Sequence, residues 1–178
     1  MESYYDKDIY LPALNSQGEI TGGVERWKAH REGILHQAFT LALTFEGKVL
    51  CQKRHHPVFG GFWDLSASSH PQWQNGVVVR SIDMLLPTVE REWSLPEGFV
   101  MEQPRRLGEI KYKAQHHDFI EHELCEFFCA EINLIPGYQP EVASDQQCCL
   151  PQNIQSLTPL APWVEEAINA GVLAELDI

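Results

Sequence analysis

Three histidines and two glutamates carry the chemistry that this 178-residue chain most plainly offers. His30 and His36 precede an apolar run, His70 closes the stretch Ser68-Ser69-His70-Pro71, and Glu121 and Glu123 lie two residues apart. On a strand, side chains at i and i+2 point to one face, so the two carboxylates would share a surface. They repel there unless a cation, a proton or water separates them. Three imidazoles and two carboxylates form a mixed N/O donor set suited to Zn²⁺, Mn²⁺ or Fe²⁺. Spacing alone leaves a second reading open, in which His30 and His36 cap or line a helix and the glutamates face solvent.

The elements that must position these residues follow from the hydrophobic pattern. Residues 38–54 read as a hairpin, apolar through Phe45, turning at Glu46-Gly47 and returning from Lys48. The Gly/aromatic stretch Phe59-Gly60-Gly61-Phe62-Trp63 is expected to be a loop whose backbone comes close to a ligand. A short strand is expected over 65–68. Val78, Ile82, Leu85, Val89 and Trp93 recur at helical spacing, with Pro87 expected to kink that helix or split it. Residues 107–114 and 121–132 read as strands, with Cys125, Phe127 and Cys129 on one face. Residues 136–155 read as a long irregular segment. Residues 159–173 read as an amphipathic helix with proline in its first turn. Central strands with helices packed on them imply an α/β (α+β) sandwich with a mixed sheet, formed as one domain over residues 1–178.

Composition narrows the function classes. A formal net charge of −12 opposes binding to nucleic acid or to an anionic membrane. It opposes a phosphorylated substrate too, so a metal ion or a local basic patch has to reverse the field. No apolar run approaches the roughly 20 residues of a membrane span, and the acidic N-terminus lacks a secretory pattern, so a cytoplasmic location is expected. The five cysteines include no pair spaced by two residues. Cys51, Cys125 and Cys129 read as small core residues, and Cys148-Cys149 as an oxidisable pair in a polar loop.

Several segments, in order, resemble the type 1 isopentenyl-diphosphate isomerases, a branch of the Nudix superfamily. They are His30-Arg-Glu-Gly-Ile-Leu-His36-Gln-Ala-Phe39, Gly61-Phe-Trp-Asp-Leu-Ser-Ala-Ser-Ser-His70-Pro71, Tyr112-Lys-Ala114, Glu121-His-Glu123 and Ala161-Pro-Trp163. Residues 1–29 lie outside the likeness, as an N-terminal extension. The resemblance implies a Nudix-type α/β/α sandwich. It implies one Mn²⁺- or Zn²⁺-type ion held by His30, His36, His70, Glu121 and Glu123. Glu123 would also act as acid/base beside Tyr112, and Trp163 would offer its π-face to a cationic intermediate, its alternative being a helix anchor in the core. A Mg²⁺ ion would arrive with the substrate diphosphate, held partly by Glu92. Lys53, Arg54 and Arg26, with Lys28 in reserve, would grip the diphosphate. His55 and His56 stand where lysine is expected and read as solvated loop residues.

Two departures bear on the reaction. The family's catalytic cysteine corresponds to Ser68, and a hydroxyl is a far weaker acid than a thiol of pKa about 8.5. Isomerisation protonates an unactivated double bond and removes a proton elsewhere, so one of its two groups is altered. The carboxylate-rich Nudix helix is also reduced, with Pro87, Thr88, Val89, Glu90, Arg91 and Glu92 keeping only the last glutamate in register. Three functions follow: proton transfer on a small isoprenyl-type diphosphate, hydrolysis of a (nucleoside) diphosphate, or metal and diphosphate binding without turnover. The protein is expected to act as a monomer or homodimer.

Overall fold

A computed structural model describes residues 4–176. After a short 3-10 turn at Tyr4–Asp6, the elements run β1 Tyr10–Leu14, β2 Ile20–Glu25, α1 Arg26–Glu32, β3 His36–Phe45, β4 Lys48–Arg54, β5 Trp63–Asp64, β6 Ala67–Ser69, β7 Gln72–Gln74 and β8 Val77–Val79. They continue with α2 Ser81–Glu92, β9 Trp93–Ser94, β10 Arg105–His116, β11 Phe119–Glu131, β12 Gly137–Tyr138, β13 Ala143–Cys149, a 3-10 turn at Pro151–Ser156, α3 Pro162–Asn169 and a last 3-10 turn at Val172–Leu176.

Strand β3 is the axis of the sheet. One edge pairs in parallel with β11 from His36↔Glu123 to Thr44↔Glu131. Its other edge meets three antiparallel partners in turn: β1 at Ala13↔His36, β6 at Phe39–Leu41 and β4 at Leu43–Phe45. Strand β10 lies antiparallel on the far side of β11, and β13 on the far side of β4. The sheet is therefore mixed. Both faces are buried, which is why β3 and the C-terminal half of β11 read as near-continuous apolar runs. Ala38, Ala42, Cys125, Phe127 and Cys129 face one core that includes Trp163, Val164 and Ala167 of α3. Phe39, Leu41, Leu43, Phe128 and Ala130 face the other, with Leu85 and Val89 of α2 and Trp93. Helices thus cover both faces, as in the expected α/β/α sandwich. The 38–54 hairpin forms, with its pairing to β3 confined to the tip.

Several expectations need correction. Helix α2 starts at Ser81 because Val78 belongs to β8, and Ile82 is exposed rather than facing the core. It runs unbroken through Pro87, since Pro87 and Asp83, whose carbonyl loses its partner, lie on the solvent side. Residues 136–155 are not irregular: β13 pairs with β4 over Ala143–Cys149, and a 3-10 turn follows. Cys148-Cys149 is accordingly in a strand, and the Cys149 Sγ lies buried 3.8 Å from Cys51 Sγ. The final helix is shorter, Pro162–Asn169, because Trp63 hydrogen-bonds to Pro159 O and Ala161 N and holds 159–161 extended. The glycines of the 59–63 loop do not line the cavity beside His30, His70 and Glu123. A Cβ on Gly60 would stand 2.6 Å from His56 O, so close backbone packing explains that glycine. No helix among the described residues is long and apolar enough to cross a membrane.

Candidate metal centre and adjoining cavity

Helix α1 is built to present His30. Glu25 caps its N-terminus, accepting from Trp27 N and Lys28 N at 2.7 Å each. Gly33 ends it in the left-handed region, φ 64°, turning the chain so that His36 opens β3. His30 Nδ1 lies 2.7 Å from Arg26 O and His36 Nδ1 2.7 Å from Ile34 O. A carbonyl only accepts, so each Nδ1 carries the hydrogen and each Nε2 is turned toward the site, the tautomer a metal ligand requires. His70 arrives from the end of β6. Glu121 and Glu123 project from one face of β11, both buried.

These side chains converge. One donor atom from each of His30, His36, His70, Glu121 and Glu123 lies within 4.8 Å of every other. The three imidazole centroids form a near-equilateral triangle, 4.9, 5.1 and 5.1 Å on a side. Opposed ligands of an ion with bonds of about 2.1 Å stand roughly 4.2 Å apart, so small side-chain rotations would close the set. Buried Nε2 of His36 and Oε2 of Glu121 make no aligned hydrogen bond among the described residues, their nearest partners being Glu123 Oε1 at 3.3 Å and His30 Nε2 at 3.2 Å. Poorly satisfied polar atoms at such depth are costly, and a divalent cation would satisfy both. The residues present therefore fit a metal ion.

Protonation tells the same story. Burial opposes a charge on His30, but Glu121 at 3.2 Å and Glu123 outweigh it and raise the imidazole to about 9. Burial pushes Glu123 up, yet His36 and its neighbours hold it down to about 2. Burial and the adjacent His36 and His30 push His70 well below its ordinary value. Without a metal, a proton on His30 takes over part of the cation's task.

Glu123 divides its oxygens. Oε1 faces His36 Nε2 at 3.3 Å and His70 Nε2 at 2.9 Å, while Oε2 accepts from the Tyr112 hydroxyl at 2.5 Å. Tyr112 stands directly across from Glu123 in the β10–β11 register. Burial pushes the Tyr112 hydroxyl well above its ordinary value, with Glu123 adding to the shift, so it stays protonated.

A cavity adjoins this cluster. Ser68, Arg54, Arg26, Glu92 and Trp163 line it with Tyr112 and the four cluster residues other than His36. Lys53 and Lys28 do not. Lys53 alternates with Gln52 and Arg54 on β4 and points the other way. Arg26 is already engaged, its Nη2 donating to the carbonyls of Tyr4, Tyr5 and Lys7, so it ties the N-terminal turn across the cavity. Glu92 is buried and accepts from Arg91 at 2.6 Å and from Gln52 at 3.3 Å. Trp163 is buried, donates through Nε1 to Asp64, and has the Arg54 guanidinium 4.9 Å from its ring centroid. His55 is exposed as expected. His56 is half-buried rather than fully solvated: it lines the cavity, and its Nδ1 accepts from Val58 N at 2.9 Å.

Sequence reasoning missed two charged residues here. Asp64 is fully enclosed and gathers Arg54, Ser68 and Trp163. Arg91 neutralises Glu92, and its guanidinium sits 3.9 Å from the Tyr4 ring centroid. Adjacency to Glu92 on the last turn of α2 was the available signal for Arg91. Asp64 had none, since Trp163 is 99 residues away.

No protein-family model matches the chain. Curated relatives do. An isopentenyl-diphosphate Delta-isomerase of Rhodobacter capsulatus is 32% identical over 133 residues, covering 70% of this chain and 69% of the relative. The chain belongs to the isopentenyl-diphosphate Delta-isomerase family. The family's Aliivibrio fischeri enzyme is 33% identical over 121 residues, 64% of each chain. That of a Jannaschia species is 26% identical over 155 residues, 79% of this chain and 81% of the relative. Solved structures agree on the fold. A MutT Nudix hydrolase from Burkholderia pseudomallei superposes with a TM-score of 0.59 at 16% identity, covering 76% of this chain and 96% of its own. A MutT protein from Methanosarcina mazei gives 0.59 at 11%, covering 80% and 93%. This isopentenyl-diphosphate isomerase family member therefore has the Nudix fold and is an enzyme.

Proposed function

We propose that this enzyme isomerises a small isoprenyl diphosphate of the isopentenyl type by proton transfer, with His30, His36, His70, Glu121 and Glu123 holding one Mn²⁺- or Zn²⁺-type ion. The observation that carries the reading is the division of Glu123: one oxygen turned to the histidines, the other hydrogen-bonded to a buried, protonated Tyr112. A carboxylate so placed can serve the ion and still manage a proton at the cavity wall. The ion, when bound, supplies the charge that lets two buried carboxylates share a site.

The remaining roles rest on placement. Arg54 and Arg26, which both line the cavity, give positive charge for the diphosphate, and a Mg²⁺ carried in by the substrate would reach Glu92 by displacing Arg91. Lys53 is not part of this proposal, because it does not line the cavity. Trp163 forms the wall beside Tyr112, their ring centroids 6.1 Å apart. Ser68 takes the place of the family's thiol. All these residues lie in one domain, which we take to work in the cytoplasm as a monomer or homodimer.

Hydrolysis is the weaker reading. It calls for several free carboxylates on α2, whereas Glu90 is exposed and Glu92 is already paired with Arg91. Product analysis distinguishes the two. The metal-loaded protein is given isopentenyl diphosphate, or a panel of nucleoside diphosphates, with Mg²⁺ and Mn²⁺. Formation of dimethylallyl diphosphate supports isomerisation, and release of phosphate from the nucleotides without isomerisation would replace it with the hydrolase.

A further inference from the structure

The loss of the thiol leaves a proton-transfer enzyme with Ser68, a poor base, on one wall. Beside it lies Asp64, a buried carboxylate for which the reading above has no task. We propose that Asp64 is the positioning residue that makes Ser68 competent: it holds the Ser68 hydroxyl hydrogen and receives it as Ser68 takes a proton from the substrate carbon. The inference rests on the isomerase reading.

The hydrogen-bond directions support it. Asp64 Oδ1 accepts from Leu65 N at 2.8 Å, Trp163 Nε1 at 2.8 Å and Ser68 Oγ at 3.1 Å, and Oδ2 accepts from Arg54 Nη1 at 2.8 Å. An ionised carboxylate only accepts, so Ser68 must donate to it. Thr40 Oγ1, 2.9 Å from Ser68 Oγ, then donates to Ser68, and the Cys125 thiol, 3.5 Å from Thr40 Oγ1, can donate to Thr40. The chain of donors ends on Asp64 and uses one of the two Ser68 lone pairs, on a residue that lines the cavity. Burial raises Asp64 above the usual carboxylate range, opposed by Arg54, Trp163 and Ser68. It is thus a better proton acceptor than an exposed aspartate.

The placement suits two-sided chemistry. Ser68 lies on β6 and Glu123 on β11, and these strands flank β3 on opposite edges. A proton held by the Glu123–Tyr112 pair adds to C4, the terminal methylene of isopentenyl diphosphate, and the π electrons form the new C–H bond. The C2–H bond breaks, and its electrons form the new double bond. That proton passes to Ser68 Oγ as the Ser68 hydrogen passes to Asp64. Ser68 never carries net charge. One wall loses one proton, the other gains one, and exchange with solvent between turnovers resets both.

Blocking removal of the C2 proton has a signature that loss of fold lacks. The cation can still return by losing a C4 proton, so in D₂O deuterium enters the methylene of unreacted substrate. The full-length, metal-loaded protein is incubated with isopentenyl diphosphate in D₂O, and NMR follows C4 deuteration and dimethylallyl diphosphate together. Asp64→Asn is expected to isomerise at least a hundredfold more slowly, with C4 exchange per isomerisation rising at least tenfold. Ser68→Ala keeps the Arg54–Asp64 pair intact, so it carries the test if Asp64→Asn does not fold, and the same rise is expected. Isomerisation within threefold of wild type in the folded variants, or a fall in both signals in proportion, overturns the inference alone. A wild-type protein that neither isomerises nor exchanges removes the isomerase reading and the inference with it.

Discussion

The Tyr112 hydroxyl donates to Glu123 Oε2 at 2.5 Å across a directly opposed pair of β10 and β11, while the other oxygen of the same carboxylate faces two histidines. Antiparallel register alone puts these side chains on one face. Glu123→Gln preserves the size of the side chain but can hold neither a proton nor a full negative charge. Turnover is expected to fall by about a thousandfold or more, roughly 4 kcal/mol of barrier, with the fold retained by circular dichroism. Activity within threefold of wild type would rule Glu123 out as the proton-managing group.

The converged donors predict one transition-metal ion per chain. Elemental analysis after Mn²⁺ or Zn²⁺ loading should read close to one equivalent. Excess metal at a hundred times its Kd would stabilise the fold by about 2.7 kcal/mol. Replacing His36, whose Nε2 faces Glu123 Oε1 at 3.3 Å without an aligned hydrogen bond, by alanine should abolish both the stoichiometric ion and that gain. Stoichiometric metal retained in His36→Ala would show that the ion sits elsewhere.

The same site sets opposite pH slopes with and without metal. In the metal-free fold, His30 is raised to about 9. Its contribution to stability is fully present below its unfolded value of about 6.5 and is lost as pH rises through about 9. Glu123, lowered to about 2, contributes above its unfolded value of about 4.3 and loses that only as pH falls toward 2. His70 and His56, held neutral in the fold, oppose this loss while their unfolded forms titrate near 6.5, so metal-free stability should decline from about pH 7.5 to 8.5, where of these groups only His30 still changes. Metal requires the neutral imidazole, so metal-induced stabilisation should grow over that range. Urea unfolding at several pH values, with chelator and with Mn²⁺, checks both slopes. A metal-free midpoint that is flat or rising would count against a protonated His30.

What could be read from the sequence divides along a physical line. Strands β3 and β11 are buried on both faces, so their side chains announce them. Strand β13 has buried residues only at its two ends and polar ones between, so nothing local distinguishes it from a loop: β4 supplies its order. The five metal-type residues were legible through the family resemblance, since their types and spacing alone left a helix-lining and solvent-facing reading open. Lys53 illustrates a signal that was present and unused, since strand alternation with Gln52 and Arg54 turns it away from the cavity. The hold of Arg26 on the N-terminal turn and the place of Asp64 in the site were not legible by type. A guanidinium that serves backbone carbonyls looks the same in sequence as one that waits for phosphate.

The Arg54–Asp64 pair yields the last prediction. Both side chains are at most 9% exposed, and they meet at 2.8 Å. Arg54 Nη2 also donates to Val58 O at 3.2 Å, which anchors the turn between β4 and β5. Removing one member of a buried pair strands the other's charge and costs about 3–5 kcal/mol, whereas replacing both with apolar groups costs far less. Arg54→Met alone should therefore destabilise the protein by about that amount. Adding Asp64→Leu to Arg54→Met should restore part of the loss, the remainder being the Trp163 Nε1 and Leu65 N donors that then lack their acceptor. Denaturant unfolding of wild type, both single variants and the double variant gives the coupling energy directly. Additive losses would mean that water already solvates the pair and that Asp64 is less enclosed than its 1% exposure indicates.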